Sequence, residues 1–455
     1  MSNFDLVVLG GGSGGLAAAF RAAQHGARVA LLEPGELGGT CVNVGCVPKK
    51  AMWLAADLAL KLSLARELGF DLPDALPTLD WPVFIAFRQR YVANIHASYR
   101  KRLEAAGIEL MPMRGSIAAP GVVACDNGDR LEAPQILVAT GGRPQHPAIP
   151  GAGLALDSNG FFQLTAAPAR VAVVGGGYVA VELAAVLQAL GSRVEVFVRG
   201  RRLLQGFDPD ITTQLVEDYR QHGIHTHFGY ALQALHEQGE GVVLRDTSAQ
   251  DSEPFEAVIF ATGRRPNSDG IGLVEAGVVL DPSGHVQVDA FQRTSVEGIH
   301  ALGDVTDRVG LTPVAIAAAR QLMDRLFGGR ADAKLDYANI ATVVFSHPPI
   351  GMVGMTEEDA RALHGDQVSV HRASFRPMLH ALADSPQRSL FKLVCVGPSN
   401  APEDRGVVGI HLLGEGVDEM LQGFAVALKR GITLADLHDT VAIHPSSAEE
   451  IVLIS

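Results

Sequence analysis

The sequence is poor in cysteine, in aromatic residues and in cations relative to anions. Its 455 residues include only four cysteines, which excludes a small secreted fold held together by disulfides. It has 37 Lys and Arg against 50 Asp and Glu, and the formal net charge of −13 argues against a nucleic-acid partner. No apolar run is long enough to span a membrane, and no signal peptide precedes the first apolar strand pattern. We therefore expect a cytoplasmic protein with neither a membrane nor a nucleic-acid partner.

The 50 glycines cluster in motifs, and one of these motifs, residues 38–50, contains two of the cysteines. Four residues separate Cys41 from Cys46, a spacing that lets the two sulfurs close into a disulfide. The apolar pattern that follows predicts a helix beginning at or near Cys46. The positive end of its dipole, with Lys49 nearby, would lower the pKa of the Cys46 thiol and stabilise a thiolate. This arrangement is typical of a redox-active dithiol.

Two other interpretations of these cysteines remain open at this point. Small apolar cysteines are often simply buried, and a pair can also supply half of a zinc site. The remaining cysteines, Cys125 and Cys395, are isolated and far apart in the chain. We therefore predict no metal site and favour redox chemistry.

Residues 4–33 have the pattern of a dinucleotide-binding unit: a buried strand, a glycine turn, an alanine-rich helix and a second strand. In such a unit the glycines allow a tight turn and a close approach of pyrophosphate, which faces the helix N-terminus. Glu33 follows the second strand, where an acid binds a ribose hydroxyl. The turn contains Gly10, Gly12, Ser13, Gly14 and Gly15.

Residues 170–202 repeat this pattern with a different ending. The turn contains Gly175, Gly177, Tyr178 and Ala180, and the second strand ends at Val198. The acid is absent, and Arg199 takes its place, followed by Arg201 and Arg202. A guanidinium binds a 2′-phosphate that a carboxylate would repel, so we predict a site for NADP(H).

Further motifs follow the two units. Strands of similar sequence end in the small-residue turns at Ala139, Thr140 and Gly141 and at Gly263, as in a duplicated unit. Asp304 follows another strand and is predicted to accept a hydrogen bond from a sugar hydroxyl. The glycine motifs stop at about residue 335, and the remainder has an α+β pattern. There His444 precedes Glu449, and a histidine held by a carboxylate is suited to general acid catalysis near neutral pH.

Four stretches together resemble the flavoprotein disulfide reductases, the class I pyridine nucleotide-disulfide oxidoreductases, and within them the glutathione reductases. They are residues 38–50, 345–351, 418–425 and 444–450, and the likeness covers nearly the whole chain. It implies an α/β fold of two Rossmann-like dinucleotide-binding domains plus a C-terminal α+β interface (dimerisation) domain. The implied boundaries are 1–145 and 266–335 for the two parts of the FAD-binding domain, 146–265 for the NADPH-binding domain and 336–455 for the interface domain.

The resemblance also implies an activity: a homodimer that reduces glutathione disulfide with NADPH, through FAD and a Cys41–Cys46 disulfide, and so keeps the cell's thiols reduced. Cys41 would attack the substrate, Cys46 would face the flavin, and His444 of the partner subunit, oriented by Glu449, would protonate the leaving thiol. Lys49 would pair with Glu182 beside the flavin, and Tyr178 would cover the nicotinamide pocket. Glu33, Thr40, Asp304 and Thr312 would lie at the flavin, with Thr312 also touching glutathione. The other residues implied at glutathione are Tyr91, Tyr99, Arg102, Arg320 and Glu450.

Two departures from the glutathione reductase pattern bear on specificity. Gln205 stands where relatives carry a second arginine, which puts strict NADPH preference in question. Phe20 stands at a position that holds a carboxylate-binding arginine in some members, whereas Ala17 and Arg320 match the glutathione pattern. Arg102 adds positive charge to the same groove, so we predict the anionic glutathione disulfide as substrate.

Several alternatives remain at the level of sequence. They are a modified glutathione such as glutathione amide, a trypanothione-like disulfide, dihydrolipoamide, and a flavin-binding redox sensor without turnover. A dihydrolipoyl dehydrogenase usually has an acid at the position of Arg199. A mercuric reductase or large thioredoxin reductase needs extra cysteines near the C-terminus, where this sequence has none.

Overall fold

A computed structural model describes residues 2–398 and 404–455. The described strands are β1 Ser2–Asn3, β2 Leu6–Leu9, β3 Val29–Leu32, β4 Glu109–Met111, β5 Gly115–Ala119, β6 Val122–Cys125, β7 Arg130–Glu132, β8 Gln135–Val138, β9 Gly142–Pro144, β10 Leu156–Asp157, β11 Arg170–Val174, β12 Arg193–Val198, β13 His225–Phe228, β14 Leu232–Gln238, β15 Gly241–Asp246, β16 Ala257–Phe260, β17 Arg264–Pro266, β18 Ile299–Ala301, β19 Thr342–Val344, β20 Ile350–Gly354, β21 Val368–Phe375, β22 Ser389–Val396 and β23 Gly406–Leu413. The α-helices are α1 Ser13–Gln24, α2 Gly39–Asn43, α3 Cys46–Ala65, α4 Trp81–Ala105, α5 Ser158–Phe161, α6 Tyr178–Ala189, α7 Pro209–Gln221, α8 Thr312–Leu326, α9 Glu357–His364, α10 Met378–Leu382, α11 Val417–Lys429, α12 Leu434–His438 and α13 Glu449–Val452.

The chain divides into two compact units. The first comprises Met1–Ala51, Pro82–Gln145 and Gly263–Tyr337. Its main sheet is parallel, in the order β18-β8-β2-β3-β4, and α1 packs against α8 on it. The central strands β2 and β3 are short apolar runs in which every residue is buried, as in parallel strands covered on both faces. A second sheet, β1-β7-β6-β5, contains the antiparallel pairs β5–β6 and β6–β7.

The second unit comprises Met52–Trp81, His146–Thr262 and Ala338–Ser455. It contains another parallel sheet, β10-β16-β11-β12-β13, with α6 next to β12. It also contains an antiparallel sheet, β19-β20-β23-β22-β21, whose apolar face packs against α11. The pattern of two parallel sheets, each with a glycine turn, followed by an antiparallel C-terminal sheet confirms the predicted fold class.

α3 begins at Cys46, as the sequence predicts, and ends at Ala65. Pro48 is its third residue. Proline is tolerated there because the first N–H groups of a helix have no partner within it. No helix in the described residues is long and apolar enough to cross a membrane.

The carboxyl group of Asp218, on α7, should make the stability of the fold depend on pH. Its side chain is 1% exposed, and Gln214 donates to Oδ1 at 3.0 Å, while Oδ2 has no hydrogen-bond partner among the described residues. Burial raises the pKa of this carboxyl to about 7. The folded protein therefore binds a proton that the unfolded chain releases near pH 4, so this group destabilises the fold as the pH rises from about 4 to about 7.

We expect Asp218→Asn to raise stability most at pH 8, where the native carboxylate is ionised. The difference between a pKa of about 7 and the ordinary 3.8 corresponds to at most on the order of 4 kcal/mol. Urea midpoints at pH 5 and pH 8 measure the effect. Glu253→Gln, which removes an exposed carboxylate that does not act on Asp218, is the control and should show no gain at pH 8. Equal midpoint shifts for Asp218→Asn at both pH values would contradict the raised pKa.

Candidate functional site

The first glycine turn connects β2 to α1 and is shaped for a phosphate. Gly10 has φ +108°, and a Cβ there would lie 2.4 Å from the carbonyl oxygen of Ala139, so only glycine fits. A Cβ on Gly15 would lie 1.9 Å from the Gly10 carbonyl oxygen. A Cβ on Gly12 would come no closer than 3.8 Å to the described residues around it, at the Cα of Gly39, and no described side chain caps α1, which begins at Ser13. The first N–H groups of α1 are thus left for a ligand.

Carboxylates and small residues of the first unit surround this turn. Glu33 accepts hydrogen bonds from the backbone N–H groups of Gly11 at 2.7 Å and Gly35 at 2.8 Å, which fixes it beside the turn. Arg264 lies 3.7 Å from Asp304 and 3.4 Å from the Thr40 hydroxyl, so the structure brings these residues together. The predicted turn residues Ala139, Thr140 and Gly141 follow β8, and the Thr140 hydroxyl donates to the carbonyl of Asn267 at 2.8 Å.

The second glycine turn, between β11 and α6, repeats the geometry of the first. Gly175 has φ +146°, and a Cβ there would lie 2.2 Å from the carbonyl oxygen of Ala261. Around Gly177 no described atom lies within 4 Å of the Cβ position, and the N-terminus of α6 at Tyr178 has no described side-chain cap. Ala180 is fully buried, in agreement with its packing role. The turn therefore has space and N–H donors for a second nucleotide.

The segment between β12 and α7, residues 199–208, carries the predicted cluster of arginines; we call it the arginine loop. Arg199 and Arg201 are exposed, and Arg202 donates to the carbonyl of Gln205 at 2.7 Å. The backbone N–H of Leu204 donates to the carbonyl of Gly176 at 2.7 Å. The arginine loop is therefore bonded directly to the second glycine turn, where a nucleotide phosphate is expected.

The two cysteines of residues 38–50 lie together in the first unit. Cys41 is in α2, Cys46 opens α3, and the Cys41 thiol is hydrogen-bonded to Cys46. This bond, with burial, raises the pKa of Cys41, while hydrogen bonds from Thr312 and Ser13 act in the opposite direction. The Cys46 sulfur lies 3.6 Å from the Thr312 hydroxyl. The structure thus brings the two predicted sulfurs together at the start of α3.

Sequence reasoning missed the residues that hold this motif in place. The Asn43 amide donates to the carbonyl of Gly39 at 2.9 Å, which closes α2, and its Oδ1 lies 2.8 Å from Nε2 of His96. His96 belongs to α4 and is almost fully buried. A lone histidine on a helix gives no local sign of this role, because its partner lies far away in the sequence.

His444 and Glu449 lie together in the second unit. Nδ1 of His444 is 2.9 Å from Oε2 of Glu449, the first residue of α13. This hydrogen bond and one from the Ser446 backbone lower the pKa of the Glu449 carboxyl. The imidazole is thus held through Nδ1 and presents Nε2, and its side chain is 79% exposed. Glu450 is in the same first turn of α13.

The remaining predicted residues lie on helices. Glu182, on α6, is buried and accepts from the backbone N–H of Phe345 at 2.8 Å. Lys49 lies in the first turn of α3, in the other compact unit, and its pairing with Glu182 stays a prediction. Gly263 has φ +125°, with no described atom within 4 Å of its Cβ position.

The predicted substrate residues of the first unit lie mainly on α4. Tyr91 is exposed, and the guanidinium of Arg102 lies 4.6 Å from the ring centre of Phe20 and 6.0 Å from that of Tyr99. Arg320 is exposed on α8. The cation of Arg102 therefore stacks on the ring of Phe20.

The chain has two glycine turns that leave room for a nucleotide, and a dithiol beside the N-terminus of a third helix. These features together define a dinucleotide-dependent dithiol oxidoreductase. Residues 4–319 match the family model of the pyridine nucleotide-disulphide oxidoreductases, and residues 340–454 match the dimerisation domain of the same family. The chain belongs to this family. Its cofactors are FAD and NADPH and it forms a homodimer, as the sequence predicts.

Two curated relatives are similar over their full length. The glutathione reductase of Schizosaccharomyces pombe is 42% identical over 465 residues, which cover 99% of this chain and 98% of the relative. The glutathione reductase of Yarrowia lipolytica is 41% identical over 469 residues, again covering 99% and 98%.

Proposed function

We propose that this protein is a cytoplasmic NADPH-dependent reductase of glutathione disulfide. The observation that carries the proposal is the hydrogen-bonded Cys41–Cys46 pair beside a nucleotide turn, in a chain that resembles glutathione reductases from end to end. We assign residues 1–145 and 266–335 to FAD, 146–265 to NADPH and 336–455 to the interface between subunits.

The first unit fits FAD. The open space at Gly12 and the uncapped start of α1 suit a pyrophosphate, and Glu33 suits a ribose. We assign Asp304 and Thr40 to the rest of the cofactor. When bound, FAD supplies the two-electron relay between NADPH and the dithiol.

The second unit fits NADPH. Gly177 and the start of α6 receive the pyrophosphate, and Arg199, Arg201 and Arg202 receive the 2′-phosphate through charge-assisted hydrogen bonds. Tyr178, whose side chain is partly exposed beside this turn, is assigned to the nicotinamide pocket.

The dithiol then exchanges with the substrate. Cys41, as a thiolate, attacks one sulfur of glutathione disulfide, forms a mixed disulfide and releases one glutathione thiolate, which takes a proton from Nε2–H of His444. Cys46 attacks the Cys41 sulfur, releases the second glutathione and forms the Cys41–Cys46 disulfide. Two electrons from NADPH reopen that disulfide.

Because bonding to Cys46 raises the pKa of Cys41, the attacking thiol needs a base. We assign this role to His444 of the partner subunit. Its exposure fits, and Val441, Ile443 and Leu453, which flank it in the chain, are exposed apolar residues that a partner would cover. Lys49 with Glu182 is assigned to the flavin side of the dithiol.

The charge of the substrate groove favours glutathione disulfide, which carries carboxylates. We assign Arg102 and Arg320 to these carboxylates, Tyr91, Tyr99 and Thr312 to the peptide, and Glu450 of the partner to an ammonium group. The stacking of Arg102 on Phe20 supports the view that Arg102 supplies the cation that position 20 lacks.

Purified protein should oxidise NADPH rapidly with glutathione disulfide, and at least about a hundredfold more slowly with NADH or with lipoamide. Absorbance at the nicotinamide band measures the four combinations in parallel. Equal rates with NADH would contradict the role of Arg199. Turnover of an uncharged glutathione conjugate at the same rate would contradict the charge argument, and turnover of lipoamide alone would replace the substrate.

A further inference from the structure

The most deeply buried cation among the described residues is Lys392, on β22. The side chain of Lys392 is 2% exposed, and its Nζ lies 2.8 Å from Asp208, 2.7 Å from Asp210 and 2.8 Å from Glu357. We call these four residues the Lys392 cluster. Burial of a charged side chain costs free energy unless the charge is well paired. A lysine buried among three carboxylates is therefore expected to have a role other than packing.

One member of the Lys392 cluster ends the arginine loop. Asp208 is 0% exposed, directly follows Phe207, and caps α7 by accepting the backbone N–H of Asp210 at 3.0 Å. One Asp208 oxygen therefore serves both the helix cap and Lys392 Nζ. The ammonium holds this carboxylate, and with it the point where the arginine loop enters α7.

A continuous path of contacts runs from Lys392 to the nucleotide turn. Phe207 donates its backbone N–H to the carbonyl of Leu204 at 2.8 Å, and Leu204 donates its own to Gly176 at 2.7 Å. Leu204 is buried and has φ +48°, a conformation that a leucine keeps only when its surroundings hold it. Arg202 joins the same turn through its bond to the Gln205 carbonyl.

We propose that Lys392 is a positioning residue for the 2′-phosphate of NADPH: it anchors the C-terminal end of the arginine loop through Asp208, and so holds the loop arginines in their binding geometry. The proposal rests on the proposed function, because it assumes that these arginines meet the 2′-phosphate. Preorganised side chains bind more tightly since less conformational freedom is lost on binding. Loss of the anchor should therefore weaken binding of the 2′-phosphate, which the arginines contact. Binding at the rest of the nucleotide site should not change.

The test is binding of two nucleotide fragments to the holoenzyme by calorimetry: 2′,5′-ADP, which carries the 2′-phosphate, and 5′-AMP, which lacks it. In Lys392→Met we expect the Kd of 2′,5′-ADP to rise at least about fivefold and that of 5′-AMP to change less than about twofold. The KM for NADPH should rise in parallel, with the KM for glutathione disulfide unchanged.

Arg372 provides a matched control. Its guanidinium donates to Asp210 at 2.8 Å and to Glu357 at 2.7 Å, and in the described part of the chain it has no hydrogen bond to Asp208, so Arg372→Gln disturbs the same cluster without touching the anchor. We expect Arg372→Gln to lower the thermal midpoint and leave the Kd of 2′,5′-ADP within about twofold. If both variants weaken 2′,5′-ADP equally, the cluster acts through stability alone and the proposal is overturned.

Asp208→Asn changes the other partner of the Lys392–Asp208 contact. It tests the same proposal if Lys392→Met fails to fold. Asparagine keeps the cap on α7 but bonds an ammonium more weakly, so 2′,5′-ADP binding should again weaken selectively. An unchanged Kd in this variant, or equal weakening of 5′-AMP in either, overturns the proposal. Wild-type protein that binds both fragments equally would instead overturn the NADPH assignment of the arginine loop.

Discussion

Cys46→Ser should reduce disulfide turnover by at least about a thousandfold, because a serine hydroxyl cannot resolve the mixed disulfide on Cys41. The substitution is nearly isosteric and lies at the first position of α3, where serine is well accepted, so the fold should persist. FAD content and the Kd of NADPH should stay at wild-type values, since neither glycine turn is touched. Stopped-flow and steady-state assays of NADPH oxidation with glutathione disulfide measure the loss.

Cys41→Ser is the matched comparison and separates the two sulfurs. It should lose turnover to a similar extent but keep a thiolate at Cys46. The long-wavelength absorbance of a thiolate beside an oxidised flavin measures that thiolate. Cys46→Ser should lack that absorbance. Turnover that survives Cys46→Ser, or the absorbance appearing in that variant instead of in Cys41→Ser, would refute the assignment of roles within the pair.

The parts of the site that the sequence predicts well are those in which a local rule determines the geometry. At Gly10 and Gly175 a Cβ would collide with a carbonyl oxygen of the neighbouring strand end, so the glycine spacing itself encodes the turn. The position of Cys46 at the start of α3 follows likewise from an apolar helical pattern that starts after a glycine-rich stretch, with Pro48 allowed in the first turn.

The parts that the sequence does not predict depend on partners far away in the chain. Residues 38–45, with glycines at both ends, indicate a turn, but Asn43 closes residues 39–43 into the short helix α2 and is itself held by His96 of α4. Lys392 occurs in a strand pattern that gives no sign of its three carboxylates, which come from the cap and first turn of α7 and from α9. Such long-range polar contacts have no periodicity, so only the folded chain reveals them.

His444→Gln should lower kcat with glutathione disulfide by roughly a hundredfold to ten-thousandfold, the usual contribution of a positioned acid–base group. Glutamine preserves size and polarity but can neither protonate the leaving glutathione nor deprotonate Cys41. Glu449→Gln should have a smaller effect, about tenfold, because the imidazole stays in place but loses the carboxylate that Nδ1 faces at 2.9 Å. The pH profile of kcat should flatten in His444→Gln and keep its shape in Glu449→Gln; a profile unchanged in both would refute the role.

Mixed dimers test whether His444 acts across the subunit interface. We expect Cys41→Ser and His444→Gln to have little activity as homodimers, but a heterodimer of the two contains one site with Cys41 from one subunit and His444 from the other. If the site is shared, random reassembly of equal amounts should recover about a quarter of wild-type turnover, because half of the dimers are mixed and each has one intact site. If Cys41 and His444 of the same chain work together, every site carries one defect and no activity returns. Co-expression with two affinity tags isolates the heterodimer, which should then have about half of wild-type kcat, with wild-type homodimers reassembled in the same way as the control.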